Sequence, residues 1–231
     1  MRTLITGGNR GIGLELVRQM LARGDRVIAT ARQPGQAAEL NRLASEFPGR
    51  LAVLAWEAEK VGGAAELARE VARIDDHLDL VIANAGMMVR GERFGGVTEH
   101  DLAQTLAVNT IGPFMLAQAL APLLAKGSAP KLLLVSSVLG SLARRDAFYT
   151  PSYCISKAAL NMAMRLLTAP LRELGITTIA VHPGWVRTAM GGEQAPLLPA
   201  ESARDLLQLA DGLRPEDAGR FLAHDGSELP F

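Results

Sequence analysis

"TLITGGNRGIGLEL", residues 3–16, carries an apolar strand-like run straight into a glycine-rich turn and out into helical spacing. Gly7, Gly11 and Gly13 occupy the junction. Glycine there adopts backbone angles closed to other residues. It also lets a phosphate approach the amides of a helix N-terminus, where the dipole favours an anion. The spacing is G-x-x-x-G-x-G, which differs from the G-x-G-x-x-G of the general dinucleotide fingerprint. A purely structural tight turn is the alternative. The turn follows the first strand of an alternating pattern, and that place favours a nucleotide site.

The pattern continues along the chain. Further strands are expected at 26–31, 51–55, 78–84, 131–137 and 177–182, with a weaker one at 220–224. Several are apolar without alternation, as strands covered on both faces are. Between them Ile12, Leu16 and Met20, and again Leu67, Val71 and Ile74, recur at helical spacing. Strand–helix–strand repetition predicts an α/β fold, a doubly wound parallel sheet with helices on both faces. No repeat, low-complexity tract or linker divides the chain, so residues 1–231 are read as one domain. Residues 190–199, rich in Gly and Pro, read as a mobile loop before a helix from about Glu201 to Ala210.

Composition narrows the function classes. Hydrophobic residues make up 48% and charged residues 21% of the 231, enough to bury a sizeable core. Lys+Arg and Asp+Glu are both 24, so no net field attracts nucleic acid or an anionic membrane. Cys154 is the only cysteine, which excludes an internal disulfide, and a buried core position is expected for it. One cysteine and four scattered histidines offer no metal-ligand spacing. The longest apolar run, "GPFMLAQALAPLLAKG" at 112–127, is interrupted by Gln118 and Pro122, short of the roughly 18 residues of a membrane span. The stretch before the first glycines is too short for a signal peptide, so a cytoplasmic setting is expected.

"SYCISKAAL", residues 152–160, places Tyr153 and Lys157 four apart, on one face of a helix. An ordinary tyrosine has a pKa of about 10, and a nearby cation favours the phenolate. The spacing therefore suits acid–base chemistry, although such a pair also occurs by chance on helix surfaces. Ser137 ends the expected fifth strand, on the side where parallel sheets place ligands. The second strand ends in Ala31 and Arg32 with no carboxylate for a ribose 2′-hydroxyl, and Arg10 sits inside the glycine turn. Two guanidiniums there suit a 2′-phosphate, so NADP(H) is favoured over NAD(H). Solvated surface arginines are the alternative.

Five more segments follow the glycine turn in order: "NAG" (84–86), "VNTIGPF" (108–114), "SSVLGS" (136–141), "YCISK" (153–157) and "HPGWVRT" (182–188). Together they resemble the short-chain dehydrogenase/reductase family nearly end to end. "HPGWVRTAMGG" and "DGSELPF" are similar to its C-factor/sniffer-type carbonyl reductase subgroup. The resemblance implies a Rossmann-type sheet of seven parallel strands in the order 3-2-1-4-5-6-7. It implies catalytic roles for Asn109, Ser137, Tyr153 and Lys157. Tyr153 would be the proton donor for reduction, Lys157 would hold the nicotinamide ribose and lower the phenol pKa, Ser137 would bond the substrate carbonyl, and Asn109 would anchor a water leading to Lys157. Cofactor contacts would come from Gly7, Asn9, Arg10, Gly11, Ile12, Gly13, Arg32, Asn84, Ala85, Gly86, Tyr153, Lys157, Pro183, Gly184, Val186 and Thr188.

The activity so implied is NADPH-dependent reduction of a small-molecule aldehyde or ketone. A signalling protein of the same fold that binds NAD(P) with little turnover is the second reading. A homodimer or homotetramer is implied, joined through the "YCISK" helix and the helix before the last strand. Two departures stand out. Where the family commonly has an Asp against adenine, this chain reads "LAWEAEK", leaving Trp56 or Glu57 near that place. Ser137 and Tyr153 are sixteen positions apart, and the extra length, which includes Tyr149, falls in "LARRDAFYT". Met87, Met88, Leu139, Phe148, Trp185 and Met190 are candidates for an apolar substrate pocket, and a short loop after Thr188 suggests an open one.

Overall fold

Each expected strand is present in the computed structural model, which describes residues 1–231. In chain order the elements are β1 (Arg2–Ile5), α1 (Gly11–Ala22), β2 (Arg26–Ala31), α2 (Ala38–Glu46), β3 (Leu51–Ala55), α3 (Gly63–Ile74) and β4 (Leu80–Ala83). Then come α4 (Glu99–Leu106), a π-helical turn (Ala107–Ile111), α5 (Gly112–Leu124), β5 (Lys131–Val135), α6 (Pro151–Glu173), β6 (Thr177–His182), α7 (Pro199–Gly212) and β7 (Phe221–Ala223). Seven strands lie in the order β3-β2-β1-β4-β5-β6-β7, and every pairing is parallel. The register sets Leu4 beside Ile28 and Val81, and Ile82 beside Leu133.

Strand period explains the two cores. Leu80 and Ile82 of β4 point to the layer holding Leu16, Val17, Met20 and Leu206 of α1 and α7. Val81 and Ala83 point the other way, to Leu67, Leu116, Leu120, Leu160 and Met164 of α3, α5 and α6. Alternate residues thus serve opposite layers, and both layers are apolar, which is why the strands read as continuous hydrophobic runs. The chain winds outward from β1 to β3 and then returns beside β1 as β4. That reversal opens a crevice at the carboxyl ends of β1 and β4, the usual ligand position in such sheets.

Three expectations are revised. The strands at 78–84 and 131–137 are shorter: Leu78 N–H donates to the helical Leu123 carbonyl (3.1 Å), and the last bond from β5 to β6 is Ser136 N–H to Val181 O (2.8 Å). Residues 190–199, expected to be mobile, are tied back: Arg187 N–H donates to Leu197 O (2.8 Å), Leu197 N–H to Trp185 O (3.3 Å), and Ala195 is fully buried. Helix α7 runs two residues further at each end, starting with Pro199 where its missing N–H costs nothing. Glu99–Leu124 forms one continuous 26-residue helix, and an 18-residue window of it reaches a mean hydropathy of 1.4, which suits a membrane span by length and composition. Its apolar side lies on the sheet through Leu116, Ala117, Leu120 and Leu124.

Candidate active site

The glycine turn is built for close approach. Gly7 and Gly11 have φ of 66° and 55°, a region that side chains disfavour. A Cβ on Gly13 would lie 2.2 Å from Gly7 O, so only glycine lets α1 settle onto the turn. From β4, Asn84 Nδ2 donates to Thr6 O (2.9 Å) and Gly7 O (3.3 Å), and Ala85 N–H donates to Thr6 Oγ1 (3.0 Å). The Asn84 amide therefore braces the turn. Arg10 caps α1 without a side-chain bond and no acid occupies the first turn, so the helix N-terminus keeps its amides for an anion. Asn9 and Arg10 are exposed on the turn, Arg32 is exposed after β2, and Ile12 is half-buried against the α1 core. Neither Arg10 nor Arg32 has an acidic partner, unlike Arg18 and Arg42, which both pair with Glu39. Glycine cradle, free amides and two unpaired guanidiniums fit a phosphorylated dinucleotide. Trp56, 6% exposed, is part of the core, and Glu57 is exposed beyond it.

β5 and α6 bring the candidate acid–base residues together. Tyr153 and Lys157 are 8% and 3% exposed, with the ammonium 5.7 Å from the ring centroid. Lys157 Nζ donates to Val135 O at 2.7 Å. Ser136 Oγ donates to Asn161 Oδ1 (2.6 Å), pinning strand to helix and leaving Ser137 as the serine near the phenol. Gly140, unremarked in the sequence, is what permits this: a Cβ there would be 2.6 Å from the Lys157 carbonyl carbon. The 138–140 turn therefore lies directly on the α6 backbone.

Asn109 sits within the π-helical turn and is fully buried. Its Oδ1 accepts from Met87 N–H (2.8 Å), and its Nδ2 donates to Met87 O (2.8 Å) and Ser156 Oγ (2.9 Å). The side chain is spent on fastening the segment after Gly86 to α6. Its main chain lies in a π-helical turn, outside regular i to i−4 pairing. Gly86 lies between the two, since a Cβ on it would be 3.2 Å from Asn109 Oδ1 and 3.8 Å from Lys157 Nζ.

Burial, rather than the mutual pairing expected from the four-residue spacing, sets both charge states. It pushes the Tyr153 phenol up to about 12, opposed by the nearby Ser137 hydroxyl and aided by Cys154. It brings Lys157 down to about 7. Lys157 is not among the influences on the phenol, because a lysine brought to about 7 is neutral in the range near 12 where the phenol titrates. Cys154 is half-buried rather than in the core, with its thiol donating to Tyr149 O at 3.1 Å.

The third wall follows β6. Gly184 has φ of 89°, and Ser202 of α7 donates from Oγ to Pro183 O at 2.7 Å, fixing the turn. Val186 is buried, while Thr188 accepts at Oγ1 from Gly191 N–H (3.1 Å). Thr188 faces the glycine turn across the crevice: a Cβ on Gly11 would meet its Cγ2 at 3.2 Å. Met87, Met88, Leu139 and Met190 are half-buried, whereas Phe148 and Trp185 are 54% and 57% exposed, Phe148 against Phe94 and Trp185 with its Nε1 donating to Gly191 O (2.8 Å). Sequence reasoning missed Ser202, Arg90 and Glu92. Arg90 Nη2 donates to Ala189 O (2.7 Å) and Met190 O (3.0 Å) from the β4–α4 connection. Nothing in the local sequence signals such a contact between segments a hundred residues apart. A cavity of about 480 Å³ between α7 and β7, lined by Asp205, Asp217, Arg220 and His224, contains none of these residues.

Known proteins share this fold. The carbonyl reductase Sniffer of D. melanogaster superposes with a TM-score of 0.94 at 32% identity, covering 100% of this chain and 99% of that one. An NADPH-bound carbonyl reductase from chicken fatty liver gives 0.93 at 35% identity, covering 100% and 98%. In sequence, the C-signal protein of Myxococcus xanthus is 40% identical over 154 residues, 67% of this chain and 93% of that protein. The family described as short chain dehydrogenase matches residues 2–197. With ordered motifs, a seven-stranded parallel sheet and these relatives in agreement, the chain belongs to the short-chain dehydrogenase family, in its sniffer-type carbonyl reductase subgroup.

Proposed function

We propose that the protein is an NADPH-dependent carbonyl reductase in which Tyr153 donates the proton. The observation that carries this reading is the burial of Ser137, Tyr153 and Lys157 at one strand end, with the phenol at about 12 and hence protonated at neutral pH. When bound, the reduced nicotinamide supplies the hydride that forms the new C–H bond. Negative charge then grows on the carbonyl oxygen, and donors aimed at that atom lower the barrier. Ser137 Oγ and the Tyr153 hydroxyl are those donors. The phenol proton passes to the oxygen to give the alcohol, and Lys157, at about 7, sits beside the resulting phenolate as a source of positive charge and a proton. A phenol that keeps its proton at neutral pH can serve as the acid when the carbonyl is reduced.

The test is NADPH oxidation with a panel of aldehydes and ketones. Tyr153→Phe keeps the ring packing, removes the donor, and is expected to lower kcat by about 10²–10⁴-fold. Unchanged turnover in that variant removes the mechanism. The likeness to C-signal favours a second reading, a signalling protein that binds the dinucleotide. Tight NADPH binding with no turnover across the panel decides for it.

A further inference from the structure

Glu92 belongs to none of the sequence motifs, yet its carboxylate holds the start of the catalytic helix. Ser152 N–H donates to Glu92 Oε2 at 3.2 Å, and the Ser152 hydroxyl donates to Oε1. Ser152 is fully buried and immediately precedes Tyr153. Helix α6 has no cap of its own. Thr150, at the capping position, lies in the left-handed region with φ of 41° and makes no capping bond, and Pro151 has no N–H to offer. The first available amide of this 23-residue helix is therefore bound by a carboxylate sixty residues away in sequence. A negative charge is favoured there by the helix dipole.

The loop that carries Glu92 is fixed on its other side. Met87 is gripped by the Asn109 side chain, and Arg90 holds the Ala189 and Met190 carbonyls beyond the β6 turn. Glu92 thus links the wall after β4 to the one turn of α6 that bears the phenol. The influences on the phenol are burial, Ser137 and Cys154, and the Glu92 charge is not among them.

We infer that Glu92 is a positioning residue: through Ser152 it sets the height and rotation of the first turn of α6, and so the place of the Tyr153 hydroxyl. The inference rests on the reductase reading above. Displacement of a reacting group by about 1 Å costs on the order of 10²-fold, so Glu92→Ala is expected to lower kcat by about 10–100-fold. The KM values for NADPH and for the carbonyl should stay within about threefold, since the phenol, not the binding walls, is displaced. Glu92→Gln keeps an acceptor for the Ser152 N–H and an amide for its hydroxyl, and is expected to restore most of kcat. Ser152→Ala removes only the hydroxyl bond and should give an intermediate loss, which keeps the inference testable if Glu92→Ala does not fold. In a Tyr153→Phe background Glu92→Ala should add nothing. The inference is overturned if Tyr153→Phe is inactive while Glu92→Ala turns over normally. It is equally overturned if Glu92→Gln is as impaired as Glu92→Ala with a raised KM for NADPH. If Tyr153→Phe itself remains active, the reductase mechanism fails first and the role of Glu92 falls with it, a distinct result.

Discussion

Lys157 shows how one residue can be read correctly in kind and differently in mechanism. Its spacing from Tyr153 is legible in the sequence, because helical geometry alone puts the two on one face. Its charge state is not, because that depends on burial by segments far away in the chain. The buried ammonium is depressed from 10.5 to about 7. Between those values the unfolded chain binds a proton that the folded chain does not, so stability rises with pH across that window and falls as pH drops toward 7. Lys157→Met should therefore raise Tm most near pH 6.5, with a smaller gain near pH 9.5, while abolishing turnover. Thermal unfolding at the two pH values checks this, and an equal gain at both would show that desolvation of the ammonium is not the cause. Asn109 makes the converse point. The sequence places it in the site, but only the fold shows that its side chain is a staple between Met87 and α6.

Elements were legible where a local rule decides them. Seven strands and the main helices followed from apolar runs and 3.6-residue spacing, with errors of a few residues at the ends of β4, β5 and α7. The π-helical turn at 107–111 and the left-handed Thr150 were not, since neither has a local composition that demands it. Packing of one element on another produced the further surprise. The turn at 138–140 lies so close to α6 that a Cβ on Gly140 would meet the backbone of Lys157 at 2.6 Å and of Ala158 at 2.8 Å. Backbone on both sides cannot yield as a flexible side chain would. Gly140→Ala is expected to destabilise by about 1–3 kcal/mol, typical of overpacking. Because Ser137 begins that same turn, kcat should fall along with Tm. A variant with unchanged Tm would show that the turn moves freely, and the close packing would then have no energetic weight.

At the scale of the molecule, the crevice is assembled from the ends of β1, β2, β4, β5 and β6, so a dinucleotide lying across it would bridge most of the sheet. A ligand that binds only the folded state adds about 2.7 kcal/mol at a hundred times its Kd. In a chain of this size each kcal/mol raises Tm by about 2–4 °C. NADPH should thus raise Tm clearly, and NADH less at equal concentration, because only NADPH presents a 2′-phosphate to Arg10 and Arg32. Replacing both arginines by alanine should bring the two shifts together. A larger shift with NADH in the parent protein would reverse the cofactor assignment. The sequence by itself determined the alternation of strands and helices, the glycine turn and the Tyr153–Lys157 pair, because each rests on spacing within a few residues of chain; the strand order it carried only through the family resemblance. Only the tertiary structure decided the charge states of that pair, the bracing of Asn84 and Asn109, the clamp of Arg90 and the hold of Glu92 on α6. Those depend on burial and on contacts between residues 22 to 100 positions apart, which no local pattern records.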